Sequence, residues 1–251
     1  MEKKNFYETI FKRKSIRSYD PDSLDEETIF MIQKYMENLS PLYPDIETEL
    51  KIVSGDQVKT RMMKRAPHYI AVFSENKEGY LTNIGYMLQQ MDLFLSTNGI
   101  GCCWQGIPKP KKGILMSSNL EFIILFAFGR PKEPLHRSNI SEFKRKPMDE
   151  ITGIEGADDL LEAARIAPSA TNSQPWFFTG SKNKINVYCV QSKFLKARLL
   201  KKWNQIDVGI AIFHICTAAE HSGKSVEIIS DRTELNNPPE GYYYIATLKI
   251  E

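Results

Sequence analysis

The spacing of apolar and polar residues predicts a chain of alternating helices and strands. Apolar residues recur at helical spacing in several long segments, whereas short β-branched or aromatic runs predict buried strands. Proline and glycine residues mark several of the segment ends. The predicted helices are residues 3–12, about 25–39 with Ser23 or Asp25 as the N-cap, 81–98, 157–167 and 207–222. The predicted strands are residues 68–74, 121–128, 184–190 and 242–250.

Two parts of the chain repeat this order of elements. The tripeptides Asn83-Ile84-Gly85 and Asp207-Val208-Gly209 each open an apolar helix, and each helix ends at a glycine 14 residues after the tripeptide glycine. A strand follows in both parts at a similar distance. Helix–strand alternation also arises by chance, but the matched spacing favours an internal duplication. The predicted halves are residues 1–153 and 154–251, and no low-complexity linker separates them, so we expect them to pack intimately.

Composition places the chain among ordinary globular proteins. Its 251 residues are 42% hydrophobic and 25% charged, which is enough for a large core. Lys plus Arg number 33 and Asp plus Glu number 31, and this near balance disfavours a nucleic-acid partner. No apolar run has the length of a membrane span, and the N-terminal residues lack the apolar stretch of a secretory signal. We therefore expect a cytoplasmic protein that binds neither nucleic acid nor membrane.

The four cysteines fit neither a zinc site nor a disulfide framework. Cys102 and Cys103 are adjacent, Cys189 and Cys216 are isolated, and no C-x-x-C pair occurs. Free cysteine is among the residue types most often buried. We expect four reduced, buried thiols and no metal site.

Two basic segments have the chemistry of an anion site. Arg13-Lys14-Ser15-Ile16-Arg17 follows the first predicted helix and offers three cations and a hydroxyl. Guanidinium groups bind phosphate bidentately, and a hydroxyl adds a further donor. Lys144-Arg145-Lys146-Pro147 offers additional cations. Taken alone, either segment is more simply explained as a solvated basic turn or surface charge run.

Two other segments allow close approach to a ligand. Pro168 ends a helix and begins a loop of small polar residues that runs to Trp176, with many hydrogen-bonding groups and little bulk. A capping turn before a strand is the simpler explanation, but it leaves much of this sequence unexplained. The second segment, Gly99–Gly106, follows an apolar helix instead of preceding one and is not G-x-G-x-x-G, which disfavours a Rossmann dinucleotide site.

Together these segments resemble the nitroreductase family of FMN-dependent oxidoreductases. Arg13–Arg17 matches the family's R-[RK]-S-x-R, and Ala167–Trp176 matches A-P-S-x-x-N-x-Q-P-W at every defined position. Gly99–Gly106 matches G-[IL]-G-x-x-W-x-G, and Arg145 precedes Pro147–Ile151, which is similar to P-[LM]-x-E-[VI]. The A-P-S-x-x-N-x-Q-P-W element is the specific one, and the resemblance covers most of the chain. It implies an α+β nitroreductase-like fold with central antiparallel or mixed sheets flanked by helices.

The resemblance also implies a set of FMN contacts. The residues that would hold the phosphate, ribityl chain or pyrimidine edge are Arg13, Lys14, Ser15, Arg17 and Arg145. Those that would border the ring are Pro168, Ser169, Ala170, Asn172 and Gln174. Gln105 and Gly106 would lie near the reactive N5 edge. The flavin would carry the chemistry, so no side chain is assigned as catalytic.

The chain departs from the usual family pattern in the distance between its two main motifs. They are normally a few tens of residues apart, but 155 residues separate Arg13 from Pro168 here. The usual enzyme is a homodimer in which one subunit supplies the basic motif and its partner supplies the loop. This chain resembles that dimer fused into one polypeptide, with one composite site kept and the other lost. The resemblance therefore implies about one FMN per chain and a protein that can be monomeric.

The activity implied is ping-pong electron transfer from NAD(P)H to a small electron-poor acceptor such as a nitroaromatic or a quinone. A flavin-binding protein without turnover, acting as a sensor, carrier or degenerate enzyme, is the alternative. A hydrolase built on one of the four histidines and a serine is disfavoured, because the chain contains no G-x-S-x-G motif.

Overall fold

A computed structural model describes residues 6–60, 65–191, 197–230 and 238–251. Residues 3–5 of the first predicted helix lie outside this part. The helices are α1 (Phe6–Ile10), α2 (Glu26–Met36), α3 (Tyr80–Thr97), α4 (Lys112–Leu115), α5 (Asp158–Arg165) and α6 (Ala197–His221). The strands are β1 (Thr48–Ser54), β2 (Val58–Lys59), β3 (His68–Ser74), β4 (Gly101–Gln105), β5 (Lys109–Pro110), β6 (Glu121–Gly129), β7 (Trp176–Ser181), β8 (Lys184–Val190), β9 (Val226–Ile229) and β10 (Tyr242–Ile250).

The chain divides into two compact units. Over the described residues, unit 1 comprises residues 12–80 and 90–139, and unit 2 comprises residues 6–11, 81–89 and 140–251. Each unit is built from several separate stretches of the sequence, whereas each of the predicted halves, 1–153 and 154–251, is one continuous stretch. The division into two units therefore does not test the predicted halves, and these stay a prediction from the sequence repeat.

Unit 1 is built on an antiparallel sheet in the order β1-β3-β6-β4. Every residue of β3 is buried, in agreement with the apolar run Tyr69–Phe73 at its centre. Tyr69, Phe73 and Leu125 belong to a core cluster in this unit that also includes Ile16 from the basic segment. Burial of Ile16 fixes the segment against the sheet, because removing an isoleucine side chain from water is favourable by ~1.5–3 kcal/mol.

Unit 2 is built on a second antiparallel sheet, in the order β7-β8-β10-β9. Trp176 and Phe178 of β7 are fully buried, and so are Val187 and Cys189 of β8. Helix α5 packs against α6 in this unit. The loop between α5 and β7 contains the predicted ring-contacting residues.

The two sheets have the same connectivity. In each, two strands form an antiparallel pair, a long helix follows, the next strand occupies an edge, and the last strand inserts between that edge and the pair. The long helices are α3 and α6, which contain the repeated tripeptides. An identical order of four strands and one helix is the arrangement expected of an internal duplication.

Within unit 2, the two tripeptide glycines lie at a reciprocal close contact. A Cβ atom added to Gly85 would lie 1.9 Å from the carbonyl oxygen of Ile206, and one added to Gly209 would lie 2.0 Å from that of Thr82. In both cases the contacted carbonyl is three residues before the other glycine. Only glycine permits this approach of α3 residues to α6.

The predicted elements are confirmed in most cases. Strands at 68–74, 184–190 and 242–250 match β3, β8 and β10, and Asp25, rather than Ser23, caps α2 by accepting a hydrogen bond from the Thr28 N–H. Helix α6 begins ten residues earlier than the predicted residue 207. The edge strands β1, β4, β7 and β9 were not predicted. In the described part of the chain, no helix is both long and apolar enough to cross a membrane.

Candidate functional site

The basic segment lies beside strand β4 in unit 1. After α1 the chain becomes extended, and the Ile16 N–H donates to the Cys102 carbonyl at 2.9 Å. Arg13 forms an isolated antiparallel bridge with His136. The structure therefore brings the predicted Arg13–Arg17 segment next to the predicted Gly99–Gly106 segment, since β4 forms most of the latter.

Arg13 is paired with a buried carboxylate. Its guanidinium Nη2 lies 3.0 Å from Asp92 Oδ2, and the Arg13 side chain is 2% exposed. Asp92 Oδ1 also accepts from Cys102 Sγ at 3.1 Å. Burial, followed by the charge of Asp92, raises the pKa of the Cys102 thiol well above its usual value. Breaking a buried ion pair from one side costs ~3–5 kcal/mol, so the pair fixes Arg13 in place.

Sequence reasoning did not identify Asp92 as part of this cluster. The signal was the single charged residue in the otherwise uncharged helical segment 84–95. A charged residue at a buried position of such a helix requires a partner, and Arg13 is that partner.

Glu133 contacts the end of the basic segment and the side chain of Lys14. The backbone N–H groups of Arg17 and Ser18 donate to Glu133 Oε1 at 3.0 and 3.3 Å, and Lys14 Nζ lies 3.7 Å from Oε2. The Arg17 hydrogen bond is the main reason that the pKa of Glu133 is lowered. The Arg17 side chain itself is exposed, and Ser15 is half-buried. The pKa of nearby Cys103 is raised by burial, against the opposing charge of Arg17.

Two predicted contacts in unit 1 have buried polar atoms without a partner among the described residues. They are Arg13 Nε and Gln105 Oε1. Gln105 is 2% exposed at the end of β4, and the following Gly106 is exposed. A buried polar group without a hydrogen bond is costly, and such exceptions are expected where a ligand supplies the partner. Arg13 Nε can donate a hydrogen bond and Gln105 Oε1 can accept one, as binding of a polar heterocycle or a phosphate would require.

The predicted ring-contacting loop has a strained backbone in unit 2. Thr171, Asn172 and Gln174 have φ values of 54°, 59° and 47°. Residues other than glycine adopt this left-handed region only when their surroundings enforce it, and such residues cluster at binding sites. Pro168 is buried, whereas Ser169 and Ala170 are half-buried.

Arg145 holds this loop through its guanidinium group. Nε donates to the Ala167 carbonyl at 3.1 Å, Nη2 to the Ile166 carbonyl at 3.2 Å, and Nη1 to Asn172 Oδ1 at 2.6 Å. The sequence placed Arg145 in the first half, but the structure places it in unit 2 with the Pro168–Gln174 segment. Its predicted contact with the FMN phosphate stays a prediction.

Gln174 and Lys146 connect the loop to the same basic segment. The Lys146 N–H donates to Gln174 Oε1 at 2.7 Å, and Lys146 Nζ donates to the Gln174 carbonyl at 3.2 Å. Gln174 N–H in turn donates to Ser169 Oγ at 3.0 Å. The Gln174 side chain is therefore committed to loop structure, with Nε2 donating to the Asn172 carbonyl at 3.1 Å.

Asp207 is a further loop contact that the sequence did not assign to the site. Its Oδ2 accepts from the Ala170 N–H at 2.9 Å, and the residue is 4% exposed. Burial raises the pKa of this carboxyl well above its usual value, and the Ala170 hydrogen bond opposes that rise. Its place in the repeated tripeptide Asp207-Val208-Gly209 was the available signal.

The twelve predicted contacts thus form two clusters. The first, in unit 1, comprises Arg13, Lys14, Ser15, Arg17, Gln105 and Gly106; the second, in unit 2, comprises Arg145, Pro168, Ser169, Ala170, Asn172 and Gln174. Over the ranges that the structure describes, no group of histidine, cysteine or acidic residues has the geometry of a metal site. All four cysteines are buried and free, as predicted.

The fold is that of the nitroreductases. A crystal structure titled as a putative nitroreductase from Thermotoga maritima superposes with a TM-score of 0.65 at 18% identity, over 99% of this chain and 95% of that one. The family described as "Putative TM nitroreductase" matches residues 5–219. The chain therefore belongs to this nitroreductase family of oxidoreductases.

Other solved structures give more partial matches. A putative NADH dehydrogenase/NAD(P)H nitroreductase from Bacteroides thetaiotaomicron has a TM-score of 0.45 at 17% identity, over 58% of this chain and 95% of that one. An FMN-dependent nitroreductase from Mycobacterium smegmatis, in complex with NADPH, has a TM-score of 0.40 at 16% identity, over 57% and 98%. No curated protein matches the chain in sequence.

Proposed function

We propose that this protein binds FMN and uses it to transfer electrons from NAD(P)H to a small electron-poor acceptor, such as a nitroaromatic or a quinone. Membership of the nitroreductase family supports the reaction class. The single observation that carries the cofactor assignment is the pair of unpartnered buried atoms, Arg13 Nε and Gln105 Oε1, within the matched motifs.

The residues present fit FMN in their chemistry. Arg13, Lys14 and Arg17 supply cations for a phosphate and for the pyrimidine edge, where positive charge stabilises developing negative charge most strongly in a site that excludes water. Gln105 supplies an amide at the predicted N5 edge, and the Pro168–Gln174 segment supplies backbone and hydroxyl groups with little bulk. When bound, FMN would supply the redox chemistry of the proposed reaction, and the residues named here would hold and orient it.

We further propose that the chain derives from a fused dimer whose two main sequence motifs were divided between its halves. The identical order of strands in the two sheets supports a duplicated origin. The first half retains the basic motif and the second retains the loop. One FMN per chain follows, and a monomer is sufficient for activity because the dimer is internal.

Steady-state oxidation of NADPH or NADH with a nitroaromatic or quinone acceptor tests the proposed function. The FMN-loaded protein is expected to show steady-state turnover. Double-reciprocal plots of rate against one substrate, at several concentrations of the other, should give parallel lines, as a ping-pong mechanism requires. The flavin-free protein is expected to be inactive. Binding of FMN without any steady-state rate would instead support a flavin-binding protein that has lost turnover. Absence of FMN binding would overturn both.

A further inference from the structure

The loop Ser169–Gln174 is held on two sides within unit 2. The segment 144–146 contacts one side through Arg145 and Lys146, as described above. The other side contacts Asp207, whose carboxyl group accepts the Ala170 N–H at 2.9 Å. Ala170 begins the short 3-10 turn that contains the left-handed Thr171 and Asn172.

Asp207 has the features of a fixed anchor. It lies in the long helix α6, it is 4% exposed, and Gly209, two residues later, packs against the Thr82 carbonyl. Water cannot readily replace a hydrogen bond at such a buried position, so loss of this acceptor leaves the Ala170 N–H unsatisfied. Strained turns persist only where contacts of this kind over-determine them.

We propose that Asp207 is a positioning residue that keeps the Ser169–Gln174 loop in its left-handed conformation, ready to border the bound cofactor. The structural part of this inference, that Asp207 holds the loop, does not depend on the proposed function. The expected effect on cofactor binding rests on the proposed function. Asp207 does not touch the cofactor in this role. It acts through Ala170, and its effect on cofactor affinity is therefore indirect.

The internal repeat suggests the informative substitution. Asn83 occupies the position in Asn83-Ile84-Gly85 that Asp207 occupies in the second tripeptide. Asp207→Asn keeps an acceptor oxygen for the Ala170 N–H, whereas Asp207→Ala removes it. A positioning role through this hydrogen bond predicts rescue by asparagine, and a role that depends on the charge does not.

Hydrogen–deuterium exchange of the flavin-free protein tests the structural content first. In Asp207→Ala, the peptide covering residues 168–176 is expected to exchange at least about tenfold faster than in the wild type, which is the change expected for loss of ~1.4 kcal/mol of local protection. Asp207→Asn is expected to stay near the wild-type rate. Thr217→Val is the matched control, because Thr217 lies on the same helix and its hydroxyl bonds only to the Phe213 carbonyl within that helix among the contacts described.

FMN affinity, measured by quenching of flavin fluorescence, tests the consequence. Asp207→Ala is expected to weaken FMN binding about tenfold or more, and Asp207→Asn and Thr217→Val are expected to bind as the wild type does. If Asp207→Ala does not fold, Ala170→Pro removes the same hydrogen bond from the donor side. Proline is compatible with that position, because it begins a 3-10 turn and the preceding Ser169 is extended.

Two results would overturn the inference. The first is unchanged exchange of the 168–176 peptide in Asp207→Ala, and the second is faster exchange with unaltered FMN affinity. If the wild type itself fails to bind FMN, the proposed function fails, yet exchange in the flavin-free protein still decides whether Asp207 holds the loop.

Discussion

Buried carboxylates organise both clusters at the scale of single residues. Asp92 fixes the guanidinium of Arg13, and Asp207 fixes the amide of Ala170. Each carboxyl group is buried on a long helix, where a polar group without a hydrogen-bond partner would be strongly disfavoured. The motif residues therefore depend on partners that lie far away in sequence and belong to no recognised motif.

Arg17 is the cation whose role can be tested with least disturbance of the fold, because its side chain is exposed. Arg17→Ala is expected to raise the FMN dissociation constant by about 10- to 100-fold, since a hydrogen bond to a charged group contributes ~1.5–3 kcal/mol. The free energy of unfolding should change by less than ~0.5 kcal/mol. Fluorescence titration and urea unfolding measure the two quantities.

The control for Arg17→Ala is Lys59→Ala, which removes an exposed cation from β2 in the same unit. It should alter neither FMN affinity nor stability. Equal affinity of Arg17→Ala and wild type for FMN would remove Arg17 from the proposed site.

The raised pKa of Asp207 gives a prediction for stability against pH. Because burial raises its folded-state pKa above the unfolded value of 3.8, the folded protein binds the extra proton more tightly. The stabilisation is fully present below the unfolded pKa and is lost as pH rises through the folded pKa. The free energy of unfolding of the wild type should therefore fall relative to that of Asp207→Asn as pH rises, by up to ~1.4 kcal/mol per pH unit.

Urea unfolding of wild type and Asp207→Asn from about pH 4 to about pH 8 measures this difference. Subtracting one free energy of unfolding from the other cancels the contribution of the titratable groups that both proteins share. A difference that stays constant across that range would show that the carboxyl has no raised pKa in the folded state.

At the scale of elements, the contact of α3 residues with α6 explains why the repeated tripeptides contain glycine. Each glycine Cβ position is occupied by a backbone carbonyl oxygen, which cannot move aside as a flexible side chain can. We predict that Gly85→Ala and Gly209→Ala each lower the free energy of unfolding by at least ~1–3 kcal/mol, because overpacking forces backbone shifts.

Urea unfolding provides the measurement, with Gly113→Ala as the matched control. Gly113 lies in α4, and a Cβ there would meet no heavy atom within 4 Å. This control should be neutral or slightly stabilising, since alanine is the better helix former. A Gly209→Ala variant as stable as Gly113→Ala would contradict the close contact.

The sequence predicted the central strands of both sheets far better than the edge strands. Strand β3 contains the apolar run Tyr69–Phe73, strand β8 is mostly apolar and buried, and the predicted bounds of both strands were correct. Strand β1 has a mixed sequence, TELKIVS, and is mostly half-buried at a sheet edge, so its pattern resembles that of a loop. Strand β4 contains glycine and two cysteines, which are weak signals for a strand.

The candidate site could be predicted only where a motif was continuous in sequence. Arg13–Arg17 and Pro168–Gln174 are local motifs, so the resemblance found them. Asp92 and Glu133 act through tertiary contacts, which no local pattern specifies. The left-handed backbone at Thr171 was equally hidden, because the conformation is imposed by surrounding hydrogen bonds and threonine does not favour it.

At the scale of the whole molecule, the two sheets have identical connectivity, but each is preceded by a different sequence motif. The basic motif occurs only before the first sheet, and the A-P-S-x-x-N-x-Q-P-W loop only before the second. A duplicated chain that had kept both motifs in both halves would have two cofactor sites. The proposed function therefore requires one FMN per chain.

The stoichiometry of bound flavin tests this account most directly. FMN should be titrated into flavin-free protein, and the bound flavin then released and quantified by its absorbance against protein concentration. The account predicts a yellow protein with about one FMN per chain. Two FMN per chain would contradict the division of labour between the halves, and a colourless protein that binds no added FMN would contradict the cofactor assignment itself.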